Sequence, residues 1–181
     1  MEKLNYIIFC TLNIILLNNC ANDRLDSTEI YNQKANEIIF QIIKESGCNC
    51  LLEIPNESMI ETSNAENPSY DIRNFLVEKL NTKNNSNLDS LVRISKNFHL
   101  DVQTVKKNEI KIITLGNLQD INKDDHKKFL KMCPNGIITF RKPIFDKKYQ
   151  KAVLDFNYAF NCVKILPLPI YEYKNGKWKH R

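Results

Sequence analysis

Hydrophobic positions in the first half of the chain recur at helical spacing. Over residues 27–46 the isoleucines fall on one face of a helix, and Gly47 is the expected stop. The same stripe pattern predicts two shorter helices over 72–80 and 88–98. Polar residues and a proline predict a loop over 56–70. The first half of the chain is therefore expected to be mainly helical.

The apolar period changes in the second half, where alternating and β-branched residues predict strands. We expect strands over 109–115, 137–141, 152–160 and 170–174, in addition to a short extended run over 50–54. A charged helix over 122–132 lies between the first two. Asn175-Gly176 follows the last strand and is the strongest short-range signal of a two-residue hairpin. The expected class is α+β, with N-terminal helices packed on a C-terminal antiparallel sheet that ends in a β-hairpin.

An apolar run that follows Lys3 covers residues 4–17 and leads into Asn18-Asn19-Cys20. The run is shorter than the roughly 20 residues that a membrane-spanning helix needs. A charged start, an apolar core and a terminal cysteine are typical of a bacterial lipoprotein signal. We therefore expect residues 1–19 to be a removed signal peptide, Cys20 to carry lipid, 20–26 to be a tether and 27–181 to form a single domain. A plain secretory leader and a retained hydrophobic N-terminus are the alternatives.

Charge is distributed unevenly along the chain, whose net charge is +5. Residues 141–181 contain ten basic and three acidic side chains, against 16 and 18 in residues 1–140. A basic segment attracts anionic lipid, polyanionic glycan or nucleic acid. These lysines lack the interleaved aromatic residues that stack bases, so no nucleic-acid partner is expected. We interpret them as a solvated strand face.

Four cysteines in the expected mature domain are the best candidates for chemistry: Cys48, Cys50, Cys133 and Cys162. In an oxidising compartment an even number predicts two disulfides, and all three pairings are open. Unpaired buried thiols are one alternative. The other is thiol-redox exchange or metal handling by Cys48 and Cys50, which requires a lowered thiol pKa. Because the spacing differs from that of zinc sites, no metal and no cofactor are expected.

Sequence patterns of familiar catalytic sites are missing from the chain. It has no Gly-x-Ser-x-Gly elbow, no glycine-rich phosphate loop and no His-Glu-x-x-His motif, and its histidines, His99, His126 and His180, are isolated. Trp178, beside the predicted hairpin turn, is expected to pack on the sheet. We therefore assign no catalytic residue and expect a non-catalytic binding or structural module.

The segment 137–181 carries a longer pattern of short motifs. Lys142-Pro143-Ile144-Phe145 is followed by Lys151-Ala152-Val153-Leu154 and then by Asn175-Gly176-Lys177-Trp178. This segment resembles a recurring pattern in uncharacterised Bacteroidetes envelope proteins and lipoproteins. The resemblance implies two strands joined by a turn with acidic and lysine residues, then a closing hairpin, and it implies no activity. From the lipoprotein signal we expect a membrane-anchored lipoprotein at the outer membrane or periplasmic face, and its partner, an envelope protein or glycan, is not identified by the sequence.

Overall fold

The helices and strands of the protein were obtained from a computed structural model, which describes residues 26–66, 69–119, 126–159 and 169–181. In chain order the helices are α1 (Ser27–Ser46), α2 (Met59–Glu66), α3 (Ile72–Lys79), α4 (Asn85–Ser95), α5 (Val102–Lys107), α6 (Leu115–Gln119) and α7 (His126–Met132). The strands are β1 (Cys50–Leu52), β2 (Lys111–Ile113), β3 (Ile137–Phe140), β4 (Ile144–Phe145), β5 (Lys151–Val153), β6 (Phe156–Ala159), β7 (Ile170–Lys174) and β8 (Lys177–His180).

The strands form two four-stranded sheets. The first has the order β2-β1-β3-β6, in which β1 is parallel to both β2 and β3, and β3 is antiparallel to β6. The second has the order β4-β5-β7-β8 and is antiparallel throughout. Asn175 and Gly176 adopt φ angles of 53° and 75°, as a type I′ turn requires. The α+β class and the closing hairpin are therefore confirmed, and the parallel pairs of the first sheet are an addition to the prediction.

One long bent hairpin belongs to both sheets. Phe140 pairs with Phe156 in the first sheet, and Ile144 pairs with Val153 in the second. Three residues therefore separate the two pairs on one side of the hairpin and two on the other, as in a β-bulge. The single strand predicted over 152–160 is wrong, because the chain passes from β5 to β6 at this bend. Both halves have the apolar character of a strand, so the sequence pattern does not mark the bend.

The predicted loop over 56–70 contains a helix, α2. Ser58 and Glu61 form a capping box: the Ser58 amide donates to Glu61 Oε2 at 2.7 Å, and the Glu61 amide donates to Ser58 Oγ at 3.3 Å. The short helices α5 and α6 were likewise not predicted. The predicted start of the helix over 122–132 lies outside the described residues, which include its later part as α7.

Helix α1 matches its predicted bounds and covers the main core. Gly47 has a φ of 71° and its amide donates to the Ile43 carbonyl, which ends the helix.

Trp178 is 2% exposed, with its ring centroid 5.5 Å from that of Phe145 and 5.1 Å from that of Tyr173. The prediction that Trp178 packs in the core is confirmed. No helix in the described ranges has the length and apolar character needed to cross a membrane.

Side-chain amides on α1 also pair with backbone groups far along the chain. Asn32 donates to one carbonyl of segment 97–101 at 3.1 Å and accepts from one of its amides at 2.6 Å. Asn36 makes the same two kinds of bond two residues further along that segment. It donates to a carbonyl at 2.9 Å and accepts from an amide at 2.7 Å. Gln41 makes both bonds with the backbone of Trp178, at 2.6 and 3.0 Å, on the edge strand β8. These amides fix α1 to segment 97–101 and to the outer side of β8, whose Trp178 pairs with Tyr173 of β7 on its other side.

Candidate functional site

A disulfide joins Cys50 in β1 to Cys133, the residue that follows α7. Their Cα atoms are 5.7 Å apart, across a sequence separation of 83 residues. Both residues are fully buried, in a cluster that includes Ile113, Phe129 and Ile137. The expected use of cysteine in a disulfide is confirmed, and the bond connects an inner strand of the first sheet with the end of a helix.

Cys48 is also disulfide-bonded, and it is 5% exposed. Because Cys50 bonds to Cys133, the two cysteines of the Cys-x-Cys pair are not joined to each other. Cys20 and Cys162 lie outside the described residues. Thiol exchange requires a thiolate or an accessible disulfide, whereas the Cys50–Cys133 sulfurs lie in a closed apolar cluster. Within the described ranges no group of three or more His, Cys, Asp or Glu could hold a metal ion.

Lys142 is a buried lysine that the sequence analysis did not single out. It lies in the bend between β3 and β4 and is 4% exposed. Its ammonium group donates to the Lys96 carbonyl at 3.2 Å. Burial lowers the pKa of Lys142 below its usual value, and the negative charge of Glu57 opposes part of that shift. Lys142 lies between the apolar strand segments 137–140 and 144–145, and that position is the sequence signal that could have drawn attention to it.

Glu61 and Lys96 form an ion pair close to this buried lysine. Lys96 Nζ lies 3.0 Å from Glu61 Oε1. The backbone hydrogen bond from Ser58 and then the bond from Lys96 lower the pKa of Glu61 to about 2, so its carboxylate stays charged at neutral pH. A lysine of lowered pKa can act as a base or nucleophile. The Lys142 ammonium donates to the carbonyl of Lys96, which connects the β3–β4 bend to the end of α4.

The other predicted candidates lie apart from one another. His99 and His180 are exposed, and within the described residues neither belongs to a group of three or more His, Cys, Asp or Glu that could hold a metal ion. The side chain of His126 lies outside the described part of the molecule. The structure therefore provides a buried disulfide and a buried lysine as the candidate groups.

Comparisons of the chain with protein-family models, with curated proteins and with solved structures found no match. The resemblance of segment 137–181 to Bacteroidetes envelope proteins stays a prediction.

Proposed function

We propose that this protein is a lipid-anchored, non-catalytic binding or structural module of the bacterial cell envelope, at the outer membrane or the periplasmic face. The anchor in this proposal is a lipid on Cys20, and the partner is an envelope protein or glycan, not nucleic acid. The observation that carries the proposal is the buried Cys50–Cys133 disulfide. Disulfides persist in the oxidising compartments outside the cytoplasm and are rare inside it.

The position of the disulfide supports a structural use. It connects β1 to the residue after α7, and both sulfurs are enclosed by apolar side chains. A cross-link over 83 residues restricts the unfolded chain strongly and contributes about 3–4 kcal/mol to stability. A disulfide of this kind suits a small domain in the oxidising environment of the cell envelope.

The leader at residues 1–19 supports the anchor. In the proposed mature protein, residues 20–26 form a short tether, and α1 begins at once at Ser27. A diacylglycerol supplies the two chains that stable membrane attachment requires. The domain would then lie close to the membrane surface.

Lipid attachment is tested by expressing the full chain in a bacterium that processes lipoproteins, with Cys20→Ser as the variant and Cys10→Ser as the matched control. Intact-mass spectrometry is expected to show a mature chain that begins at Cys20 and carries lipid in the wild type and in Cys10→Ser. The Cys20→Ser chain is expected to lack lipid. An unprocessed or unlipidated wild-type chain would contradict the proposed anchor.

The alternative function, thiol-redox exchange or metal handling by Cys48 and Cys50, makes a different prediction. It requires reactive thiols or bound metal in the native protein. We favour the structural use because both residues take part in disulfides. Thiol labelling of the native chain before reduction separates the two: labelled Cys48 and Cys50 would favour the redox alternative, and unlabelled cysteines the structural module.

A further inference from the structure

A groove lined by lysines lies between the α3–α4 loop and the β4–β5 turn, and we call it the lysine groove. Its volume is about 390 Å³. Lys83 comes from the loop, Lys147 and Lys148 come from the turn, and Lys151 begins β5. Among the described residues, Asp146 is the single acidic one in its lining. The fold thus brings together basic residues that are more than 60 positions apart in the sequence.

Asp146 is used by the turn itself. Its Oδ1 atom accepts the backbone amides of Gln150 and Lys151, at 2.7 and 2.9 Å. The carboxylate is therefore held against the turn backbone, and no ion pair between it and a groove lysine occurs in the described part of the chain. Four lysines against one engaged carboxylate leave the groove with an excess of positive charge.

Neutral amides hold two of these lysines in place. Lys147 Nζ donates to Asn87 Oδ1 at 3.2 Å. Lys151 Nζ lies 3.0 Å from the Asn81 amide oxygen, in the orientation that satisfies both ends of that amide. An amide oxygen orients an ammonium group without neutralising it. The lysines are therefore positioned and still carry their charge toward the groove.

The amino end of α4 adds to the positive potential. Asn84 caps this 11-residue helix by accepting the amide of Asn87, and Asn87 lines the groove. Helix amino ends carry partial positive charge and bind phosphate in many proteins. Thr82 also lines the groove, and its hydroxyl is buried without a hydrogen-bond partner among the described residues.

We propose that the lysine groove binds a phosphate group of an anionic envelope component. Lysine ammonium groups and a helix amino end are a combination that suits phosphate. None of the described residues that line the groove is aromatic, so they offer no surface on which a nucleotide base would stack. The proposal deepens the proposed binding module and rests on it for the source of the ligand. The groove itself does not depend on the lipid anchor.

Two soluble ligands distinguish the sources of the phosphate group. Inorganic phosphate represents a free phosphate or phosphate ester, and glycerophosphoglycerol represents an anionic lipid headgroup. Glycerophosphocholine, which has no net charge, is the control ligand. Binding to the full chain is measured by isothermal titration calorimetry at low and moderate salt, because at 0.1 M salt the attraction between exposed charges is largely screened beyond a Debye length of about 10 Å.

The variant pair removes one lysine from each wall of the groove, Lys83→Gln with Lys148→Gln. Both lysines are exposed, and neither forms an ion pair or hydrogen bond within the described ranges, so the fold is expected to persist. The control, Lys177→Gln with Lys179→Gln, removes the same charge from exposed positions of β8. Binding is expected to weaken about tenfold in the groove variant and less than about twofold in the control.

Saturable binding of inorganic phosphate that weakens only in the groove variant would support a phosphate or phosphate-ester ligand. Binding of glycerophosphoglycerol alone, with the same loss, would support a lipid headgroup. The proposal is overturned if neither anion binds, if glycerophosphocholine binds equally well, or if both variant pairs lose affinity equally. Because the ligands carry no acyl chains, these results are independent of lipid on Cys20. An unlipidated chain whose groove still binds phosphate would contradict only the proposed lipid anchor.

Discussion

Single polar residues hold the start of α2 in place. Glu61 accepts the Ser58 amide and pairs with Lys96, and its side chain is 49% exposed. Because an exposed ion pair contributes little, the capping bond is expected to dominate its effect on stability. The signal for this helix, Ser58-x-x-Glu61, is present in the sequence. It was missed because the segment lacks the long apolar stripe on which the helix predictions relied.

Glu61→Ala is expected to lower the free energy of unfolding by about 1 kcal/mol at pH 7, as the loss of a helix cap does. The pKa of Glu61 falls from 4.5 to about 2 on folding, so its contribution is complete above pH 4.5. That contribution is lost as the pH falls from 4.5 toward 2. Urea unfolding at pH 7 and at pH 3 measures the difference between variant and wild type.

The control for this prediction is Glu53→Ala, which removes an exposed carboxylate outside the capping box. Its effect on stability is expected to be small at both pH values. A difference between Glu61→Ala and wild type that stays constant from pH 7 to pH 3 would contradict the assigned role.

At the scale of elements, the amides of α1 act as substitutes for strand partners. Asn36 contacts the carbonyl of His99 and the amide of Asp101, and Asp101 in turn caps α5 with its side chain. The amphipathic stripe of α1 and Gly47 allowed the bounds of this helix to be predicted from the sequence. The amide contacts could not be predicted, because they depend on an extended segment 63 to 67 residues away.

Asn36→Ala is expected to lower the free energy of unfolding by about 1–2 kcal/mol, because two backbone groups lose their partner. Hydrogen exchange at the Asp101 amide is expected to become faster. The His99 amide, which Asn32 holds, is expected to keep its protection. Gln33→Ala, at an exposed position on the same helix, is the matched control. Unchanged exchange at Asp101 would show that Asn36 does not hold this segment.

At the scale of the whole molecule, the disulfide selects among pairings that spacing alone could not separate. Cys50 and Cys133 meet because β1 is parallel to β3 and the residues that precede β3 come back beside β1. A sequence shows neither that parallel pairing nor the packing of α7 against it. The number of cysteines predicted disulfide use, and the topology determined the Cys50–Cys133 partners.

Peptide mapping without reduction is expected to find Cys50 linked to Cys133 and, as the remaining pair of the proposed mature domain, Cys48 linked to Cys162. The double variant Cys50→Ala with Cys133→Ala is expected to lose about 3–4 kcal/mol of stability in urea unfolding. Serine at the same two positions also removes the bond and places hydroxyl groups in the apolar cluster, so it is expected to lose at least as much stability as alanine. A peptide linking Cys48 to Cys50, or Cys48 to Cys133, would contradict the pairing.

The bent hairpin has a consequence for how the molecule unfolds. β3 continues into β4 and β5 continues into β6 across the bend, so two short chain connections join the sheets, and one core cluster contains side chains from both of them. Heat should therefore melt both sheets in one cooperative transition. For the same reason, a fragment that ends inside the hairpin would carry an incomplete version of both sheets, so neither of the two described sheets can be isolated by cutting the chain there.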